Sequence, residues 1–387
     1  MTETPPLGRR LRLGMVGGGQ GAFIGAVHRI AARMDDKYEL VAGALSSDAE
    51  RARASAAELH IAADRSYDYY ANMAIVEAAR DDGIDVVAIV TPNHLHHGPA
   101  MAFLDAGIHV MCDKPLTTTV ADATGLADAV ARTGQLFGVT HNYTGNPMVR
   151  QARAMIAAGE IGRIRVVQAE YPQDWLTTKF EDTGNKQAEW RTDPARSRAA
   201  GCVGDIATHA HNLARFVTGL EVTELAADLD IFVAGRQLDD NAHMLLRFED
   251  GAKGMLWSSQ VAPGSENGLR LRVYGDKGGL EWAQEHPNQL AFTRLGEPPQ
   301  TISRGGAGAG DSAGLATRTP AGHPEGYLEA FAQLYCDMAE QITARIQNRA
   351  PDATAMLVPT VHDGVMGARF IAAAVASNAN AAAWTAV

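Results

Sequence analysis

The strongest constraint on this chain lies near its start. The apolar run Leu11-Arg-Leu-Gly-Met-Val16 leads directly into Gly17-Gly-Gly-Gln-Gly21, and an amphipathic stretch follows with Ile24, Val27, His28, Ala31 and Met34 at helical spacings. A buried strand is thus forced to turn tightly into a helix. The alternation then continues: strand at Tyr38 to Ala44, helix at Asp48 to Leu59, strand at Asp85 to Val90 entering the turn Thr91-Pro92-Asn93. Helix at Ala100 to Ala106, strand at His109 to Cys112, helix at Val120 to Arg132 and strand at Leu136 to Thr140 complete the unit. Continuous apolar strands separated by helices predict a parallel sheet covered on both faces, here a first domain over residues 1–140.

The pattern changes over residues 141–387. A helix at Met148 to Ala158 precedes segments that alternate like strands: Ile164 to Tyr171, Leu225 to Phe232, Ala242 to Phe248, Gly254 to Ser259 and Leu269 to Tyr274. Asp250-Gly251 and Asp276-Lys-Gly-Gly279 are hairpin signals, so this half is expected to be an α+β domain built on a predominantly antiparallel open sheet. Two long irregular stretches interrupt it. Residues 173–200 carry Trp175, Trp190 and Arg191 and read as a substrate-facing loop, whereas the Gly/Ala-rich 301–321 stretch reads as a flexible surface segment.

Composition narrows the function classes. The chain has 387 residues, and its 34 Lys+Arg against 45 Asp+Glu give a formal net charge of -11, which argues against general binding to nucleic acid or anionic membranes. Cys112, Cys202 and Cys336 are sparse and lack metal-ligand spacing. With no apolar leader before the first strand, and Arg369, Asn378 and Asn380 interrupting the Ala-rich end, the expectation is a cytoplasmic protein with no membrane span and no metal.

The glycine turn carries chemistry. Gly17, Gly19 and Ala22, with Gln20 and Gly21 between them, form a variant G-x-G-x-x-G/A turn, where small residues let a pyrophosphate reach backbone N–H groups at a helix terminus. The second strand ends at Ser46-Ser47-Asp48, with Arg51 and Arg53 beyond. Serines at the tip and nearby arginines leave both NAD and NADP open as cofactors. Ser47 and Asp48 also read as a helix N-cap.

Two further motifs, Cys112-Asp113-Lys114-Pro115 and Gly201-Cys-Val-Gly-Asp-Ile-Ala-Thr-His209, complete an ordered set. Together with the glycine turn and Thr91-Pro-Asn-His-Leu-His96, they make the chain resemble the glucose-fructose oxidoreductase, inositol dehydrogenase and rhizopine-catabolism family over nearly its whole length. The resemblance implies a Rossmann domain followed by a substrate-binding and oligomerisation domain, with C-terminal helices packing back on the first. It implies that Lys114 lies near nicotinamide and the reactive hydroxyl, that His209 is the base and that Asp205 is its partner. It also places Thr91, Pro92, Asn93 and His96 along the cofactor, and it implies a homodimer or homotetramer.

Independently of the resemblance, a cation at the end of a parallel strand stands where ligands bind, and a four-residue spacing puts Asp205 and His209 on one α-helical face. Asn142, Tyr143, Tyr171, Trp190 and Arg191 are candidate contacts for a small polyhydroxyl substrate. Asn212 stands where relatives often carry an acid, and Thr144 lacks the cationic reach of the usual residue there.

The leading expectation is NAD(P)-dependent oxidation of a secondary hydroxyl on a sugar, anhydrosugar, glycoside or inositol. Redox-assisted glycoside cleavage without net cofactor turnover and a non-catalytic dinucleotide sensor are the rivals.

Overall fold

The computed structural model describes residues 7–198 and 200–387; the first six residues of the polar tail and position 199 of the 173–200 loop lie outside the described residues. The chain divides into two compact units. One joins the segment ending at Gly145 to Tyr327–Val365, and the other joins Asn146–Gly326 to Met366–Val387.

The first unit is built on β1 (Leu11–Gly17), β2 (Tyr38–Ala44), β3 (Val86–Val90), β4 (His109–Cys112) and β5 (Phe137–Val139). They form a parallel sheet in the order β2-β1-β3-β4-β5. Every residue of β3 is buried, as expected for a strand covered on both faces. Helices α1 (Phe23–Met34), α2 (Ala49–Glu58), α3 (Tyr70–Ala78), α4 (His97–Asp105) and α5 (Val120–Thr133) alternate with the strands. One covering helix comes from much later in the chain: Phe331, Leu334, Tyr335, Met338 and Ile342 of Tyr327–Ile346 join Leu11, Leu13, Met15 and Val27 in a single apolar cluster. Because β1 is flanked by β2 on one side and β3 on the other, the carboxyl ends of β1 and β3 form the switch point where α/β sheets take ligands.

The second unit contains β6 (Ile164–Pro172), β7 (Val222–Asp230), β8 (Asn241–Phe248), β9 (Lys253–Ser259), β10 (Arg270–Gly275), β11 (Gly278–Ala283), β12 (Gln289–Arg294), β13 (Gln300–Ser303) and β14 (Thr385–Ala386). They form one nine-stranded sheet in the order β13-β12-β11-β10-β6-β9-β8-β7-β14. Neighbours β6 and β9 are parallel and the other pairs antiparallel. Alternation sorts its faces: Val167, Ala169, Met244, Leu246, Leu256, Leu271 and Val273 are buried, while Val166, Leu245 and Tyr274 point outward and are exposed.

Two stretches differ from the sequence reading. Residues 173–200 contain two short helices, Lys186–Arg191 and Pro194–Ser197. The 301–321 stretch, read as a flexible surface segment, instead begins within β13 and includes a helical turn at Asp311–Gly314. It is pinned by Arg304, which is 2 % exposed, donates to Asn288 Oδ1 (2.7 Å) and Thr319 O (2.6 Å), and pairs with Glu325 at 3.0 Å. The Ala-rich end belongs to the helix Val361–Ala379, and among the described residues no helix is long and apolar enough to cross a membrane.

Candidate functional site

In the first unit the glycine turn is shaped by close approach. Gly17 and Gly18 have φ of +78° and +73°. A Cβ on Gly19 would stand 2.7 Å from both Leu45 O and Ser55 Oγ. Helix α1 opens after Ala22 with no side-chain cap and no acid in its first turn, so its terminal N–H groups are left to a ligand. Beside it, Gly19, Gln20, Gly21, Ala22, Ser55 and Glu58 line a cleft of about 400 Å³. This cradle suits the pyrophosphate of a dinucleotide.

At the tip of β2, Asp48 N donates to Ser46 Oγ (3.1 Å) and Asp48 Oδ1 accepts from Arg51 N (2.8 Å), so this turn caps α2. Ser47 and the Arg51 side chain are exposed there, and Gln20 donates to Glu58.

The other end of the crevice lies where β3 and β4 finish. A Cβ on Gly17 would come within 2.9 Å of Thr91, showing how closely the tips of β1 and β3 meet. Thr91 Oγ1 and Asn93 Oδ1 are buried without hydrogen-bond partners, so polar groups that a cofactor could satisfy face this end. The His96 ring, 1 % exposed, bridges the two strand ends: Nε2 lies 2.8 Å from Thr91 O and Nδ1 3.0 Å from Pro115 O. Burial lowers its pKa.

Lys114 follows β4 and is joined to Pro115 by a cis peptide bond. Behind it, Asp113 accepts from Thr140 Oγ1 (2.6 Å) and lies 3.8 Å from His28 Nε2, while His28 Nδ1 is 2.8 Å from the Tyr335 hydroxyl. Burial works against the Asp113 charge, but His28, Lys114 and Thr140 outweigh it and hold the carboxyl below the usual range. Tyr335 escaped the sequence reading, Thr140 entered it only as the end of a strand, and His28 only as a position on one side of a helix. Asn142 and Tyr143 follow β5 in a short turn and are buried, with Asn142 Nδ2 lacking a partner.

The second unit carries the motif with Asp205 and His209, in a winding that the spacing alone did not reveal. Val203–Ala207 is a π-helical turn that passes into the α-helix Thr208–Thr218. A π-helical turn winds more widely than the α-helix expected there, and such turns occur often at functional sites. Asp205 Oδ2 accepts from Arg191 Nε (3.0 Å) and from Gln260 Nε2 (2.9 Å). The Arg191 guanidinium lies 4.2 Å from the Trp190 ring centre and 6.0 Å from that of Trp175.

Tyr171 meets the His209 ring edge-on at 6.1 Å and donates to Asn267 Oδ1 (2.8 Å), which also accepts from Gln173 (2.8 Å). The second unit therefore gathers Tyr171, Trp190, Arg191, Asp205 and His209 in one chain of contacts. It adds Gln173, Gln260 and Asn267, which no motif marked. His211 stacks on Phe370 at 4.2 Å, and among the described residues no group of three or more His, Cys, Asp or Glu side chains could hold a metal.

Comparison with known proteins matches both units to one family. Residues 11–141 match the oxidoreductase family with an NAD-binding Rossmann fold, and residues 149–281 match the GFO/IDH/MocA C-terminal domain. An oxidoreductase structure from Sinorhizobium meliloti is 55 % identical, with a TM-score of 0.89 over 97 % of this chain and 99 % of that one. An inositol dehydrogenase homologue from Azotobacter vinelandii, complexed with NADH and myo-inositol, is 36 % identical with a TM-score of 0.91 over 100 % of both chains. Levoglucosan dehydrogenase of Pseudarthrobacter phenanthrenivorans is 30 % identical over 73 % of this chain and 76 % of its own length. The chain belongs to the GFO/IDH/MocA family and is an NAD-dependent oxidoreductase of that family.

Proposed function

We propose that this oxidoreductase oxidises a secondary hydroxyl of a small cyclic polyol, within the class of inositols, sugars, anhydrosugars and glycosides. The observation that carries the reading is the polar wall of the second unit. Asp205, Arg191, Gln260, Tyr171 and Asn267 alternate donors and acceptors, and Trp190 and Trp175 add flat apolar faces. Such a wall matches a ring with several hydroxyls on its edge and C–H groups on its face. The relatives whose structure and name point to myo-inositol and levoglucosan favour the same class.

In this reading His209 accepts the hydroxyl proton, Asp205 holds the imidazole and substrate in position, and Lys114 stabilises the negative charge developing on oxygen. Gly17, Gly19, Gln20, Gly21, Ala22, Ser46, Ser47, Arg51, Thr91, Pro92, Asn93 and His96 hold the dinucleotide, while Asn142 and Tyr143 extend the substrate contacts. Bound nicotinamide supplies the hydride acceptor. NAD is the first choice, and NADP is the alternative because Ser47 and Arg51 are exposed beside the strand tip. The outward face of the nine-stranded sheet, with Val166, Leu245 and Tyr274, is assigned to a homodimer or homotetramer.

The test is a panel of inositols, sugars, anhydrosugars and glycosides with NAD and NADP separately, followed by reduced-cofactor absorbance. Stoichiometric NADH is the expected result. Sugar release with no net redox change points to cleavage instead, and cofactor binding with no turnover anywhere on the panel points to a sensor. Lys114→Ala and His209→Ala are each expected to lower kcat roughly a hundredfold to ten-thousandfold. Normal turnover in either variant rejects that residue's role.

A further inference from the structure

The loop joining β7 to β8 touches three segments that carry the polar wall, although none of its residues belongs to a motif. Asp239 accepts from Gly201 N (2.7 Å) and Val203 N (2.8 Å) through its two carboxylate oxygens, and its own carbonyl accepts from Cys202 N (2.8 Å). Three successive backbone donors at the entry to the π-helical turn are thereby satisfied from a segment 36–38 residues away. The next residue supplies a second arm: Asp240 O accepts from Gln260 N (2.8 Å), and the Gln260 side chain donates to Asp205.

Arg236 is the third arm. Its guanidinium, 2 % exposed, donates to both carboxylate oxygens of Glu181 and to the carbonyls of Leu176 and Thr178. These partners begin the loop that goes on to carry Trp190 and Arg191. Arg236 also donates to Asp240 Oδ2 at 3.2 Å, which ties the arms together. We propose that this β7–β8 loop is a three-armed clamp, with Asp239 as its positioning residue, that holds the Asp205 turn and the substrate-facing loop in the arrangement required by the reaction proposed above.

The assignment rests on that reading for its purpose but not for its geometry. Asp239 is 7 % exposed, and burial pushes its carboxyl up to about 6 despite the N–H donors. Asp240 from its own loop and the Cys202 thiol from the turn interact with it electrostatically, and Arg236 pairs with that same Asp240. The buried carboxyl holds its proton more tightly than a solvated one, so opening residues 201–203 to water releases that proton and becomes easier as pH rises from about 4 to about 6.

Hydrogen–deuterium exchange of the full chain from pH 5 to pH 8, corrected for intrinsic rates, tests this without any substrate. In wild type, protection of residues 201–206 is expected to fall on the order of tenfold between pH 5 and about 6 and then to level off. Asp239→Asn is expected to lack that change with pH, and Arg236→Lys to lose protection over residues 176–181 at every pH.

With an active substrate in hand, Asp239→Asn should lower kcat, Arg236→Lys should chiefly raise KM, and Asp239→Glu should recover part of the lost kcat. A flat wild-type profile over residues 201–206 overturns the clamp even if a variant fails to fold, and leaves polyol oxidation standing. An empty substrate panel does the reverse.

Discussion

Single residues set the tolerances of both units. Gly25 in α1 packs so closely on the glycine turn that a Cβ there would lie 2.4 Å from Gly18 Cα. Gly25→Ala therefore has to push the helix off the turn, and overpacking of about 1–3 kcal/mol should weaken NADH binding by roughly tenfold or more in a fluorescence titration. Asp239 makes a second residue-scale prediction. Its carboxyl stands at about 6 in the folded chain, against about 3.9 unfolded, so the folded state binds that proton more tightly. The resulting stability is fully present below pH about 4 and is lost as pH rises through about 6. Denaturant melts at pH 4, 5, 6 and 7 should show that slope diminished in Asp239→Asn.

At the scale of elements, the Arg304–Glu325 pair decides whether the 301–326 region stays ordered. Both side chains are nearly sealed from solvent, so Arg304→Ala takes away the cation paired with the buried Glu325 carboxylate, leaving it the Arg318 and Thr319 donors, and should cost about 3 kcal/mol by thermal or chemical melting. The sequence disclosed elements unevenly for a physical reason. The first five strands announce themselves as apolar runs because both faces are covered, whereas β11, β12 and β13 are short and alternate buried positions with half-buried or exposed ones, which resembles loop composition. The π-helical turn was hidden because a four-residue spacing reads as an ordinary helix. Asp239, Arg236 and Gln260 were hidden because each acts on residues far away along the chain, and no local pattern carries that information. Glycines and a lysine beside a proline, by contrast, mark their places through local geometry.

For the whole molecule, assembly is the first thing to measure. Light scattering should give a dimer or tetramer for wild type, and Leu245→Asp, which puts a charge on the open sheet face, should shift it to a smaller species. A unit that is discontinuous in sequence also has a history. The first sheet is encoded by residue 145, yet the Tyr327–Ile346 helix that covers Leu11, Leu13 and Met15 is made about 200 residues later. At ribosomal speeds of about 5–20 residues per second, that interval lasts roughly 10–40 s. The nascent sheet must wait through it with an oily flank uncovered, which makes the growing polypeptide a client for holding chaperones until its final helices emerge.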